Sequence, residues 1–445
     1  MFRRILIANR GEVAARVLRT CSRMGIETVA VASAADRGSA WLAEATHTVT
    51  IGAPRSAASY LDQDALIEVA LHHKCAAVHP GWGFLAENAE FCARVTAAGL
   101  TFVGPEPRHL RQMGDKAEAR RTMGSLGMPL IPGSAPLGSV DEALREAARV
   151  GYPALLKAVA GGGGRGMRGV SAPEELPAAF AEASAEAVSA FGDGRMYLER
   201  RIVGGRHVEV QVVADRFGRC LALGERECSL QRRHQKVLEE APSPGLSAAE
   251  RARILPLVAD AVGRSGYRNA GTVEMLLDAD GRMYFMEMNT RLQVEHPVTE
   301  VTSGVDLVEW QLRVAAGERL PAEAPPRTGH AIECRINAED PDNGFRPSPG
   351  TLRVLSFPEG EGIRVDTHLR GGDTIPPYYD SMIAKLIVWA PTRPEAIARM
   401  AAALDAVRIE GVITNLSLHQ RIVRWDAFLD GQFDTTSLEN LVGRS

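Results

Sequence analysis

Short apolar runs and helical stretches alternate over the first part of this chain. Ile5–Ala8 is apolar, Glu12–Met24 reads as helix, and Thr28–Ala32 is apolar again. This strand–helix–strand order implies a parallel sheet. Ala76–His79 and Leu100–Val103 continue the alternation, and a helix-rich stretch follows from Asp115 to Leu126. Pro129, Pro132 and Gly133 then mark a boundary. Beyond it the pattern predicts a small lobe with strands at Ala154–Ala158 and Met196–Glu199, separated by a glycine-rich loop. From residue 204 onward strands dominate. His207, Glu209 and Gln211 alternate with Val208, Val210 and Val212, the pattern of a half-buried strand. Thr272–Leu277 and Met283–Met288 are apolar runs joined by the turn sequence Asp278-Ala-Asp-Gly-Arg282, which predicts a hairpin. A further mixed region runs from 330 to the end. The expected division is 1–115, a helical connector 116–130, a lobe 131–203, a strand-rich unit 204–329 and a last unit 330–445, an α/β (α+β) chain.

With 445 residues, 45% hydrophobic and 24% charged, the chain can bury a sizeable core. Its charge is 51 − 55 = −4, so no global basic field exists for nucleic acid or an anionic membrane, and neither is expected as a partner. Six cysteines occur without a CxxC spacing, which argues against zinc and against a disulfide framework. A reducing, cytoplasmic location is the simplest expectation. The first apolar run is too short for a signal peptide, and no stretch approaches the ~20 apolar residues of a membrane span.

Candidate chemistry sits on four segments. The first turn, Ala8-Asn-Arg-Gly-Glu12, lacks the G-x-G-x-x-G spacing, which argues against a dinucleotide site. Lys157-Ala-Val-Ala-Gly-Gly-Gly-Gly-Arg-Gly166 places a strand before four glycines, with Lys157 and Arg165 adding positive charge. Glycine lets backbone N–H groups turn toward an anion, so this is a candidate phosphate cover, though not a Walker A loop. In the hairpin, pairing Asp278 with Met283 would set Glu274 opposite Glu287. Like charges across a ladder are unfavourable unless a cation sits between them. Asn289 adds a third oxygen on that face, and oxygen-only ligands suit Mg²⁺ or Mn²⁺. Read as one extended run, Glu287-Met-Asn-Thr-Arg-Leu-Gln-Val-Glu295 would aim Glu287, Asn289, Arg291, Gln293 and Glu295 to one side, with Pro297 ending it. Cys228-Ser-Leu-Gln-Arg-Arg-His-Gln-Lys236 is basic, lacks aromatic interleaving and is flanked by acidic residues, so an anion-binding element fits better than a nucleic-acid patch.

Together with His79-Pro-Gly-Trp-Gly-Phe-Leu-Ala-Glu-Asn88, Glu333-Cys-Arg-Ile-Asn-Ala-Glu-Asp340 and Pro376-Pro-Tyr-Tyr-Asp-Ser-Met382, these segments resemble the ATP-grasp superfamily and, within it, the biotin carboxylases. The resemblance covers essentially the whole chain, with its motifs in family order. It implies an ATP-grasp fold with an N-terminal Rossmann-like parallel-sheet domain, a mobile lid lobe and a C-terminal biotin carboxylase domain. It implies ATP-dependent carboxylation of biotin from bicarbonate, through carboxyphosphate, with two Mg²⁺ or Mn²⁺ ions. Lys116, Lys157, Gly163, Gly164 and Met167 resemble nucleotide contacts, as do the hinge Glu199, Arg200, Arg201 and Ile202, and His207, Gln231, His234 and Leu276. Glu274, Glu287 and Asn289 resemble the metal ligands, with Glu274 and Glu287 facing the nucleotide too. Lys236, Arg291, Gln293, Val294 and Glu295 resemble the bicarbonate site, with Glu295 the general base. Arg335 resembles the residue facing the biotin ureido oxygen.

One departure is Trp82, where the family usually has tyrosine; the indole offers only an N–H. It bears on the biotin side, or is simply a core aromatic. No biotinyl-lysine motif of the Met-Lys-Met kind occurs, so biotin is expected on a separate biotin carboxyl carrier protein, with a carboxyltransferase component handling the acceptor, an acyl-CoA such as acetyl-CoA. A homodimer is the expected assembly. Alternatives are the same part of another biotin-dependent carboxylase, an ATP-grasp carboxylate–amine ligase, or a catalytically silent ATP-binding regulator.

Overall fold

The computed structural model describes residues 1–160 and 166–443. Its N-terminal sheet has five parallel strands in the order His47–Gly52, Glu27–Ser33, Arg4–Ile7, Ala77–His79, Thr101–Phe102. Parallel strands covered on both faces read as unbroken apolar runs, and Ile5, Leu6 and Ile7 are all fully buried. The helix Gly11–Arg23 follows the first strand; Gln63–His72 and Ala89–Ala97 begin where Asp62 and Asn88 accept a backbone N–H of their first turn. Such caps each contribute about 1 kcal/mol. Helix Lys116–Ser125 is capped in the same way by Asp115.

The small lobe is a three-stranded antiparallel sheet, Met167–Val170, Ala154–Ala158 and Met196–Arg200, packed by helices Val140–Val150 and Leu176–Phe191. Gly163 and Gly164, with Arg165, lie outside the described residues.

The main sheet has eight strands among the described residues. Their order is Met283–Asn289, Asn269–Leu277, Arg206–Ala214, Cys220–Arg232, Gln235–Ala241, His330–Asn337, Met382–Ala390, Ile363–Thr367, all antiparallel. Gln235–Ala241 pairs directly with His330–Asn337, so the regions on either side of residue 330 share one sheet. Val208, Val210, Val212, Val273, Met275 and Phe285 pack with Ile254, Val258 and Ala261 of helix Ala248–Arg264. The strand predicted as half-buried is in fact buried throughout: Glu209 and Gln211 are 0% exposed and His207 7%. Its alternation separates an apolar interior from a polar one, not interior from water.

The hairpin register also differs from the simple reading. Leu277, not Asp278, pairs with Met283, yet Glu274 does face Glu287. The ladder passes from Met275↔Phe285 to Glu274↔Glu287, so Met286 is an extra, bulged residue that restores the pairing. Asp278 closes the turn instead, accepting from the Asp280 and Arg282 amides.

Helices Arg393–Ala406 and Leu416–Ile422 pack the C-terminal strands; Thr392 and Glu395 form a capping box on the first. No described helix is long and apolar enough to cross a membrane.

Candidate active site

Lys236 opens the strand Gln235–Ala241, immediately after a tight turn in which Arg233 and His234 take φ of 47° and 66°. Its Nζ lies 2.6 Å from Glu295 Oε1, 3.1 Å from Glu274 Oε1 and 3.2 Å from Gln293 Oε1, and it also bonds Glu209. An ammonium has three donors, so four acceptors compete for them. Glu209 is held from its other side by Arg226, a fully buried guanidinium that also reaches Gln211 at 2.7 Å and Thr299 at 2.9 Å. Arg335 Nη2 lies 2.9 Å from Glu295 Oε2 and also bonds Glu239.

Burial works against every one of these charges, and the partners decide which survive. For Glu274, Lys236 and His207 overcome burial and hold the carboxyl well below its ordinary range. Lys236, Arg335 and Arg226 do the same for Glu295. Lys236 is in turn kept charged well above its usual range by Glu209, Glu274 and Glu295. On the neighbouring strands burial prevails: Glu239 is pushed up to about 7, and Glu333, directly opposite it, is also pushed well above its ordinary range.

The segment after the hairpin is not one extended run. The strand ends at Asn289, a loop carries residues 290–295, and helix His296–Ser303 begins with Pro297 in its first turn. Proline suits that position because its missing N–H would be unpaired anyway. The loop nevertheless brings Gln293 and Glu295 onto Lys236. It also sets Arg291 Nη2 3.0 Å from Asn289 Oδ1, while Arg291 Nε bonds Glu87 at 2.9 Å. Asn289 and Gln293 donate their amides to Glu274 Oε1 at 2.7 and 3.0 Å. Glu87, from the N-terminal region, also accepts from the Thr290 amide and hydroxyl.

Around this centre lie the residues expected to hold a nucleotide. Lys116 Nζ is 3.4 Å from Glu287. Lys157 pairs with buried Glu199, which Arg120 also holds. Arg200 and Arg201 anchor the hinge through their amides, to Pro132 and Pro153 carbonyls. Ile202 and Leu276 both lie against Gly205, where a Cβ would meet each at 3.1 Å. Gln231 bonds His207 Nδ1 at 2.6 Å, and His207 Nε2 faces Glu274 at 3.2 Å. Met167 starts the strand opposite Lys157, and His234 is exposed at its turn. Lys116, Lys157, Arg120 and His207 thus each lie against a carboxylate of their own neighbourhood.

Trp82 is half-buried against the N-terminal core and lines a separate cavity of about 170 Å³ with Asn9, Arg10, His368, Tyr379 and Asp380. Its indole N–H is buried with no hydrogen-bond partner. Glu87, Glu209, Arg226 and Glu239 were not singled out from sequence. Glu209 could have been, as the acidic member of an alternating strand beside a basic segment; Glu87 lay within the motif His79–Asn88 and Arg226 just before Cys228–Lys236, but local pattern named no partner for either.

The oxygen donors Glu274, Glu287 and Asn289 stand on adjacent strands, and Glu287 is partly exposed, with Lys116 at 3.4 Å its ion-pair partner among the described residues. That hard oxygen set, in which Glu274 and Asn289 are buried behind Glu287, fits Mg²⁺ or Mn²⁺. Among the described residues, Glu274 also lies within reach of His207 and Glu209 as a potential metal group. There Lys236 and Arg226 already neutralise the carboxylates.

Family models for the biotin carboxylase N-terminal domain, the ATP-binding domain of the carbamoyl-phosphate synthase L chain, and the biotin carboxylase C-terminal domain match residues 1–110, 115–323 and 333–440. The chain is 49% identical over 443 residues to a biotin carboxylase of a Nostoc species, covering 99% of both chains. Among solved structures, a Campylobacter jejuni biotin carboxylase complexed with β-γ-ATP superposes with a TM-score of 0.96 at 43% identity, covering 99% of each chain. The biotin carboxylase domain dimer of Hydrogenobacter thermophilus 2-oxoglutarate carboxylase, bound to MgADP, ADP and bicarbonate, gives 0.94 at 46%, covering 99% of this chain and 98% of that one. The chain belongs to the biotin carboxylase family of ATP-grasp enzymes, which are ATP-dependent ligases.

Proposed function

We propose that this chain uses ATP to activate bicarbonate and carboxylates biotin borne on a separate carrier protein, as the first half-reaction of an acyl-CoA carboxylase. The observation that carries this reading is the convergence of Lys236, Arg335 and Glu295, with Arg291 on the same loop. Two cations and a carboxylate on one small volume suit an anion that must also lose a proton.

Lys236 and Arg291, with Gln293 and the Val294 backbone, hold bicarbonate, and Glu295 takes its proton. With Lys236 and Arg335 on its two oxygens Glu295 is a weak base, because they stabilise its charge. A bound anion draws on the same cations and raises the proton affinity of Glu295. The deprotonated oxygen attacks the γ-phosphorus, and the β–γ bridging bond breaks to leave ADP and carboxyphosphate. Lys116, Lys157, Met167, the hinge 199–202, His207, Gln231, His234 and Leu276 hold the nucleotide, with Gly163 and Gly164 in the loop over its phosphates. Glu274, Glu287 and Asn289 would hold the divalent ions, which supply positive charge against the phosphates. Carboxyphosphate then breaks at its C–O bond into CO₂ and phosphate beside biotin; the phosphate takes the ureido N–H proton, and Arg335 stabilises the ureido anion, which attacks CO₂. Trp82 stands on the biotin side.

The test is ATP hydrolysis by the purified chain with Mg²⁺, with and without bicarbonate, and with free biotin added. Hydrolysis indifferent to bicarbonate rejects the reading. The proposed assembly is a cytoplasmic homodimer acting with a carrier protein and a carboxyltransferase. Acetyl-CoA is the proposed final acceptor. A second acceptor class has specific support: biotin carboxylase units of a 2-oxoglutarate carboxylase and a pyruvate carboxylase superpose at TM-scores of 0.94 and 0.87, both at 46% identity. Reconstitution with the cognate carrier and transferase decides between acyl-CoA and 2-oxo acid.

A further inference from the structure

Lys385 is 0% exposed and lies in the strand Met382–Ala390, directly opposite Arg335 on one side and Asp366 on the other. A lysine facing an arginine across a ladder is unfavourable, and burying its charge adds several kcal/mol of desolvation. Two contacts compensate. Its Nζ lies 2.9 Å from Glu12, which comes from the N-terminal helix, and donates to the carbonyl oxygen of Val294 at 3.0 Å. Asp366 is farther, at 3.7 Å. The mechanism above makes no use of Lys385.

The Val294 contact is the informative one. The peptide group is planar, so fixing the Val294 carbonyl fixes the plane that leads into Glu295. Glu295 is the residue whose two carboxylate oxygens meet Lys236 at 2.6 Å and Arg335 at 2.9 Å. From the other side the loop is held by the His296 ring on the Gln293 carbonyl at 2.7 Å. Between these supports there is little freedom left for residues 293–295.

We propose that Lys385 is a positioning residue of the bicarbonate site: by holding the Val294 carbonyl it sets the aim of the Val294 backbone and of Glu295. The proposal rests on the reading of Lys236, Arg291 and Glu295 as that site. Lys385 touches no substrate in it.

Three variants test it, each assayed as the full chain for ATP hydrolysis against bicarbonate and, separately, against ATP. Lys385→Met removes the ammonium and keeps the stem. Loss of one charged hydrogen bond predicts a rise of about tenfold or more in KM for bicarbonate, with KM for ATP unchanged. Glu12→Gln leaves the Val294 contact in place and is expected to leave KM for bicarbonate unchanged. The double variant relieves the carboxylate stranded by Lys385→Met, so it regains stability but keeps the high KM for bicarbonate. The proposal is overturned if both KM values rise together, if neither rises, or if the double variant restores KM along with stability. If neither lysine variant folds, Glu12→Gln decides: an unchanged KM supports the proposal, and a rise of about tenfold assigns the hub to docking the helix alone. Wild-type hydrolysis that ignores bicarbonate would reject the underlying reading; bicarbonate-dependent wild type with an unaltered Lys385→Met rejects only the inference.

Discussion

The strands Arg4–Ile7 and Arg206–Ala214 both lie inside a sheet, and both are buried over nearly their whole length. The first buries isoleucine and leucine on both faces. The second buries valines on one face and His207, Glu209 and Gln211 on the other. Burying apolar atoms is favourable wherever they meet. A buried carboxylate is tolerable only where a partner is fixed in place, so the polar face demands Arg226, Lys236, Arg335 and their acceptors at set distances. The parallel sheet can absorb changes of shape. The polar interior can absorb very few changes of charge, and that intolerance lets it keep a reactive group in a chosen protonation state.

The sharpest way to break this contrast is Glu295→Gln, which keeps shape and removes the proposed base. Turnover is expected to fall about 10²- to 10⁴-fold with nucleotide binding intact; equal loss of both would make Glu295 structural. Next is Arg226→Met, which leaves Glu209 with Lys236 as its one remaining cation and breaks a fully buried pair, and should cost about 3–5 kcal/mol in urea unfolding. Leu6→Ala in the parallel sheet should cost about 2–5 kcal/mol through a cavity, yet leave both KM values of the folded enzyme unchanged. If Arg226→Met behaves like Leu6→Ala, the polar face is mere packing.

A smaller effect is in pH. Glu239 has its folded pKa raised from 4.5 to about 7, so the folded state binds its proton more tightly than the unfolded chain. That contribution is fully present below pH 4.5 and is lost as pH rises through about 7. Glu239→Gln should therefore flatten the fall in urea midpoint across that window, and an unchanged slope would contradict it. The mildest change is Trp82→Tyr, expected to cost less than about 1.5 kcal/mol and to shift half-saturation by free biotin, with ATP affinity unaltered.

Much of the parallel sheet was legible because a strand covered on both faces is apolar at every position, as Ile5–Ile7 are. The carboxylate pair Glu274–Glu287 was legible as well, though through a wrong turn register that the bulge happened to correct. Two features were not legible. Period-two alternation reports that two faces differ, and cannot say whether the polar one meets water or Arg226; hence Glu209 read as half-solvated. Nor does local pattern hold long-range partners. Arg291 finds Glu87 204 positions away, and Lys385 finds Val294 91 positions away. Residues 290–295 failed for a related reason: alternating polarity mimics a strand, while tertiary anchors bend the loop to the same convergence.

Met286 has a consequence of its own. It works like a frame shift in the side-chain alphabet of the hairpin: one extra residue between the turn and the carboxylates decides which way every later side chain is read. A hairpin that kept Met286 but ran without the bulge would set Met286 opposite Glu274 and present Glu287 and Asn289, though intact, to the opposite side of the sheet. Counting matching residues would score such a sequence as complete. It would have lost its proposed metal ligands by parity alone.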